Sequence, residues 1–145
     1  MWRLCAYLVD RGAADDLCQE AFLRAWKALP AYRGDSSART WLLSIARRTC
    51  NDELRRRGRV RRLVARLPPP DHARDRSGQV EIEELVRSLD RDRRTAFLLT
   101  QWFGLSYAEA AEVCGCRVGT IRSRVARARA DLIESSEGDA RSVSD

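Results

Sequence analysis

The chain has 145 residues, enough for one moderate domain or two small ones. Lys and Arg together number 27 against 21 Asp and Glu, and the resulting net charge of +6 favours a polyanionic partner. No apolar run approaches the ~20 residues that span a bilayer, and no signal-peptide pattern opens the chain, so a soluble, cytoplasmic protein is expected. Lys27 is the only lysine among the basic residues. A GC-rich genome produces such a bias by itself, so arginine content alone does not signal recognition. The five cysteines are an odd number, which argues against a disulfide framework in a non-secreted chain. Cys114 and Cys116 have no second Cys or His pair nearby to complete a tetrahedral metal site. His72 lies in a polar, proline-rich stretch and is expected to be solvated.

Trp2 to Val9 is apolar enough for a short buried helix. A second helix is expected over Asp15 to Leu29, with two acids in the first turn, where the helix dipole favours them. Its expected core stripe is Cys18, Ala21, Phe22, Ala25 and Leu29, with Trp26 at the edge. The opposite side carries Asp16, Gln19, Glu20 and Leu23 at i, i+3, i+4 and i+7. An acidic surface enclosing one leucine suits a basic protein helix, and on spacing alone a plain amphipathic surface fits equally well.

Pro30 ends that helix, and residues 31–37 form a short polar loop. The next helix begins near Ser37 or Thr40 and runs through Leu54, with Leu42, Ile45, Ala46, Thr49 and Leu54 inward. Beyond it Arg55, Arg56, Arg57, Arg59, Arg61, Arg62 and Arg66 follow within twelve residues with no acid among them. That exceeds what a helix C-terminus needs for its dipole, so phosphate contact is expected. Pro68, Pro69 and Pro70 cannot continue a helix, which makes 59–78 a flexible linker between a first domain at 1–58 and a second at 79–134. Residues 135–145 read as a polar tail with nothing to bury.

The second domain is expected to open with helices over Val80–Leu89 and Arg93–Phe103. Ser106 and Glu109 then form a capping box, each satisfying a backbone N–H of the other's turn. Gly115 suits the left-handed conformation that ends a helix. In the helix after it, Val118, Ile121, Val125, Ala128 and Leu132 make a narrow apolar stripe. Opposite lie Gly119, Thr120, Ser123, Arg124 and Arg127, flanked by Arg122 and Arg129. From Arg117 to Arg129 there are five arginines and no acid, so salt bridges along the helix do not account for the charge. Two short helices turning at a glycine, the second small, polar and cationic outside, constitute a helix-turn-helix suited to a DNA major groove.

These passages, in this order, resemble the extracytoplasmic-function (ECF) group of bacterial sigma factors. Asp15-Asp-Leu-Cys-Gln-Glu-Ala-Phe-Leu-Arg-Ala-Trp26 resembles the region 2 helix that docks on core RNA polymerase. Tyr32 to Arg47 resembles the loop and helix that recognise and open the minus-ten promoter element. Leu105 to Arg129 resembles the region 4 helix-turn-helix that reads the minus-thirty-five element. The resemblance implies an all-α chain of two small helical domains that directs promoter-specific initiation, with no catalytic residues, cofactor or metal. It implies polymerase contact by Asp16, Gln19, Glu20 and Leu23. It implies promoter contact by Arg33, Ser36, Ser37, Arg39, Arg47, Arg48 and Asn51 in the first domain. In the second it implies contact by Thr120, Arg122, Ser123 and Arg127, and Arg124 joins them on the residue pattern. The implied partners are core RNA polymerase, through its beta-prime clamp helices and beta flap, promoter DNA, and an anti-sigma factor on the same faces. No membrane or small-molecule partner is implied.

Family members usually begin with a further helical segment ahead of the position of Trp2, so either the native chain starts earlier than Met1 or region 2 packs around a smaller core. Each Å² of apolar surface left unburied forgoes about 25 cal/mol. An ordinary helix-turn-helix regulator would account for Leu105 to Arg129 but leaves the acidic helix and the first arginine cluster unexplained. An enzyme would need a paired-histidine, Cys/His or glycine-rich phosphate constellation, which the sequence lacks.

Overall fold

The computed structural model describes the backbone of residues 1–64 and 79–142, and the side chains of 1–64 and 83–136. The described residues form seven α-helices and no strand. In order these are α1 (Trp2–Leu8), α2 (Arg11–Ala28), α3 (Ala38–Leu63), α4 (Gln79–Ser88), α5 (Arg91–Phe97), α6 (Tyr107–Cys114) and α7 (Val118–Ser142). Helices α1 to α3 make the first domain and α4 to α7 the second. The two share one continuous cluster of buried side chains, with α3 packed on α6.

Local capping chemistry sets most helix starts. Asp10 accepts from the Ala13 amide at 2.8 Å and so begins α2 at Arg11, a turn earlier than the Asp15 expected from the sequence. Ser37 accepts from the Thr40 amide at 3.1 Å and starts α3. Asp90 accepts from the Asp92 amide at 2.9 Å and starts α5. Helix α5 continues into a π-helical turn over Leu98–Trp102, closed by the Phe103 amide on the Leu98 carbonyl at 2.9 Å. Helix α3 runs to Leu63, past the expected end at Leu54, and α7 runs to Ser142, past Leu132. The proline run and His72 lie outside the described residues.

The core of α2 differs from expectation. Ala14, Leu17, Ala21 and Ala25 are buried, whereas Phe22 is 54% exposed and Trp26 76% exposed. Leu29 is also exposed, and Cys18 is only half-buried. The cause is a mismatch in length. Helix α1 has 7 residues and α2 has 18, and the two are joined by a two-residue turn that makes them antiparallel neighbours. Trp2, at the start of α1, donates to Asp15 at 2.7 Å, so α1 covers only the first half of α2. The close approach of α3 then favours alanines on the remaining inner arc.

In α3, Ile45, Ala46 and Thr49 are buried as expected, joined by Leu43 and Cys50, while Leu42 and Leu54 are half-buried. Cys5 and Cys50 are fully buried, and all five cysteines are free thiols. In the second domain Val86, Leu89, Ala96, Leu98 and Leu99 form the base on which the last two helices sit. Trp102 stays 40% exposed.

Candidate nucleic-acid and protein interfaces

The helix-turn-helix is built from local signals that all agree. The Glu109 amide donates to Ser106 Oγ at 3.1 Å, and the Ser106 amide donates to Glu109 Oε2 at 2.8 Å. Those bonds hold the Glu109 carboxyl below the usual carboxylate range. At the other end Gly115 has φ 65° and ψ 41°, the left-handed region that a side chain resists. The following Cys116 amide returns to the Ala111 carbonyl at 3.1 Å and completes the cap. Cys114 is buried within this turn, and desolvation pushes its thiol up to about 11, which keeps it protonated and unreactive.

Ile121, Val125 and Ala128 are almost fully buried and fix the rotation of α7. Val118, in the first turn, is 39% exposed and contributes less than expected. With that rotation set, Arg122, Ser123 and Arg127 face solvent and Thr120 is half-buried. Ser123 Oγ donates to the Thr120 carbonyl at 3.0 Å. Arg122 and Arg127 enter no ion pair among the described residues. Arg124 has a different environment. It is half-buried, bonded to Asp92 at 2.5 Å, with its other nitrogen 3.9 Å from Cys116 Sγ. Its guanidinium ties α7 to α5. Arg129 similarly bonds Gln101 at 2.8 Å.

The loop ahead of α3 is held by Tyr32, whose hydroxyl donates to the Ser36 carbonyl at 2.6 Å and whose ring lies 4.7 Å from that of Trp41. Trp41 is therefore half-buried against a neighbour and is not an open stacking platform. Gly34 takes φ 78° at the loop's tip. Arg33 is exposed there, and Ser36 is half-buried. Ser37 is exposed, but its oxygen is committed to capping α3 and to Thr40 Oγ1 at 2.9 Å. Arg39 donates to the Phe103 carbonyl of the second domain. Arg47 and Asn51 are half-buried, and exposed Arg48 bonds Ser44 at 3.2 Å. The expected promoter-facing residues thus lie along one loop and helix, and one of them already bonds the other domain.

Asp16, Gln19, Glu20 and Leu23 all face solvent on α2, Leu23 at 51% exposure. Arg24 pairs with Glu20 at 2.8 Å and with Asp52 of α3 at 2.7 Å, which partly neutralises the surface. A shallow depression beside it is lined by Asp10, Asp16, Glu20, Glu53, Arg56 and Arg57. Phe22 and Trp26, with Leu29 just past the end of the same helix, add an apolar strip.

The arginine cluster at the end of α3 divides in two. Arg56 pairs with Glu53 at 2.7 Å, and Arg57 bridges Glu53 at 2.7 Å and Asp10 at 2.5 Å. Arg56 and Arg57 together hold the Glu53 carboxyl down to about 2, against the cost of its desolvation. Arg55, Arg59, Arg61 and Arg62 remain exposed, and Arg66 lies outside the described residues. The sequence signal missed here was Glu53, one turn upstream of a run that contains no acid itself. Asp92 and Asp10 were missed likewise, because their arginine partners are distant in sequence.

Comparison with known proteins follows the same division. The family model "Sigma-70 region 2" matches residues 1–60, and "Sigma-70, region 4" matches 79–132. The ECF RNA polymerase sigma factor SigC of Mycobacterium tuberculosis is 52% identical over 145 aligned residues, covering 96% of this chain and 78% of the relative. The RNA polymerase sigma-H factor of Pseudomonas aeruginosa is 38% identical, covering 85% of this chain and 72% of its own length. Among solved structures, the sigma factor RpoE of Bartonella quintana, in complex with the anti-sigma factor NepR, superposes with a TM-score of 0.82 at 29% identity. That match covers 92% of this chain and 87% of that one. CnrH, in complex with the cytosolic domain of CnrY, gives 0.70 at 27% identity, covering 94% and 79%.

Proposed function

The chain belongs to the ECF sigma factors of the sigma-70 family, and from that premise we propose how its surfaces divide the work of directing transcription initiation. Residues Asp16, Gln19, Glu20 and Leu23 dock on core RNA polymerase, at the clamp helices of its beta-prime subunit. Their exposure on one side of α2, with a leucine among acids, supports this role. Such a face offers a desolvated apolar anchor ringed by charges that steer a basic helix.

Arg122, Ser123, Arg127 and Thr120 read the upstream element in the major groove. The observation that carries the reading is the pair of solvent-facing arginines on α7, without ion-pair partners among the described residues, beside small side chains that admit close approach to DNA. Arg124 acts by holding α7 on α5 rather than by touching bases. Arg33 and Ser36 take the downstream non-template strand, with Arg39, Arg47, Arg48 and Asn51 along α3. Ser37 serves chiefly as the cap that positions this loop. The second domain also contacts the beta flap. An anti-sigma factor would compete for these faces; the similar sigma factor RpoE of Bartonella quintana is found in complex with the anti-sigma factor NepR. A chain that works on polymerase and chromosomal DNA acts in the cytoplasm, and no described helix is long and apolar enough to cross a membrane.

Transcription from a promoter library by core polymerase, with and without the chain, tests the reading. Start sites that appear only with the chain and share two elements are the expected result. Duplex binding that neither needs nor recruits core polymerase would reduce the chain to a simple regulator.

A further inference from the structure

Three bonds hold α7 to the segment formed by α5 and the π-helical turn that follows it. Asp92 on α5 accepts from Arg124 at 2.5 Å, and Arg93 beside it donates to Asp131 at 2.6 Å. Gln101, in the π-helical turn, accepts from Arg129 at 2.8 Å. Arg93 also pairs with Asp90 at 3.0 Å, and Asp90 caps α5, so the first two anchors stand on a fixed first turn.

The placement of the three partners on α7 gives them a joint effect. Arg124 and Asp131 are seven residues apart, on nearly the same stripe of the helix and about 10 Å apart along its axis. Two bonds so spaced oppose tilting of α7 over α5. Arg129 lies roughly 140° around the helix from Arg124, with the buried Ile121, Val125 and Ala128 between them. Bonds on both flanks of the buried stripe oppose rolling of α7 about its own axis. The charges also alternate, because α7 supplies the cation at Arg124 and the anion at Asp131. A slip of two turns in either direction would set like charges together. The apolar stripe alone gives no such control, since its contacts are non-directional.

We infer that Asp92, Arg93 and Gln101 are specificity-determining positioning residues: without touching DNA, they set the tilt and roll at which α7 presents Arg122, Ser123 and Arg127 to the groove. The inference deepens the proposed reading of the upstream element by α7 and rests on it. A bidentate bond from arginine to a guanine edge needs both donors aligned, whereas a phosphate contact tolerates a change of angle. Loosening the anchors therefore lowers discrimination between sequences more than it lowers affinity for DNA in general. The paired side chains are between a quarter and a half exposed, so they add little to folding stability.

The test measures promoter binding by core polymerase carrying the full chain, on DNA with the upstream element and on DNA with that element scrambled. Asp92→Ala should reduce the ratio of the two affinities about fivefold, with a salt slope no shallower than that of the wild type, because no phosphate contact is removed. Arg124→Ala should reduce the ratio to the same degree and the double variant no further, as expected of two residues acting through one bond. Gln101→Ala should lose about twofold, and Gln101→Glu, whose carboxylate re-forms the bond to Arg129, should recover it. Gln101 is exposed, so its variants carry the test should an ion-pair variant lose helix content. An unchanged ratio in folded Asp92→Ala or Gln101→Ala would overturn the inference. So would losses that multiply in the double variant, since Arg124 would then act on DNA by itself. Failure of the functional reading looks different: the wild type itself would bind both DNAs equally.

Discussion

The arginines at the end of α3 and those on α7 are alike in the sequence and unlike in the structure. Both runs lack internal acids, yet Arg56 and Arg57 are consumed by Glu53 and Asp10, while Arg122 and Arg127 have no ion-pair partner among the described residues. Even within α7 the division holds, because Arg124, half-buried, is tied to Asp92. The number of cations in a run therefore says little about recognition. What matters is whether an acid lies one helical turn away or across a helix contact, where it can satisfy the guanidinium before a phosphate does.

Four changes would break or sharpen that comparison, beginning with the largest. Arg127→Ala should cost ~1–3 kcal/mol in binding an upstream-element duplex if the arginine reaches a base edge, and should lower the salt slope by about one if it reaches phosphate. Titrations at several salt concentrations separate the two. Arg57→Ala should instead lower the folding stability of the first domain, by at most about 1 kcal/mol because the group is more than a third exposed. A denaturant melt would show it, with upstream DNA binding unaltered.

Acid titration probes the same cluster through Glu53, whose carboxyl is depressed to about 2 by Arg56 and Arg57. Its contribution is fully present above the unfolded value, about 4.3, and is lost as pH falls through about 2. Glu53→Gln should flatten the pH dependence of stability in that window. A wild-type acid profile unchanged by the substitution would show that the pairs do not form in solution. The smallest effect belongs to Arg62→Ala. This exposed arginine should leave the melting curve where it was and reduce the salt slope of binding to long promoter DNA by less than one.

How much of this was legible in the sequence depends on the range of the interaction that decides it. The capping box at Ser106 and Glu109, the turn at Gly115 and the buried stripe of Ile121, Val125 and Ala128 are written within one or two helical turns, and all three stand in the structure. The inner arc of α2 was misread for a longer-range reason. Phe22 and Leu29 carry the apolar signal that marks a core, but which arc is buried depends on how far α1 extends beside it and how closely α3 approaches. The Asp10 cap is a local signal, an acid three residues before Ala13, but the acids at Asp15 and Asp16 offer a competing helix start one turn later. Nothing local could announce the bond from Tyr7 to Glu83 across 76 positions. Its partners become neighbours only once both domains have folded and closed.

The most direct test of the divided surfaces measures two substitutions against two partners. Leu23→Ala and Arg127→Ala would each be assayed for affinity toward core RNA polymerase and toward upstream-element duplex. Removing the leucine should weaken polymerase binding about tenfold and spare the duplex, and removing the arginine should do the opposite. If both substitutions weakened the same partner to the same degree, the assignment of α2 to the enzyme and α7 to DNA would be contradicted.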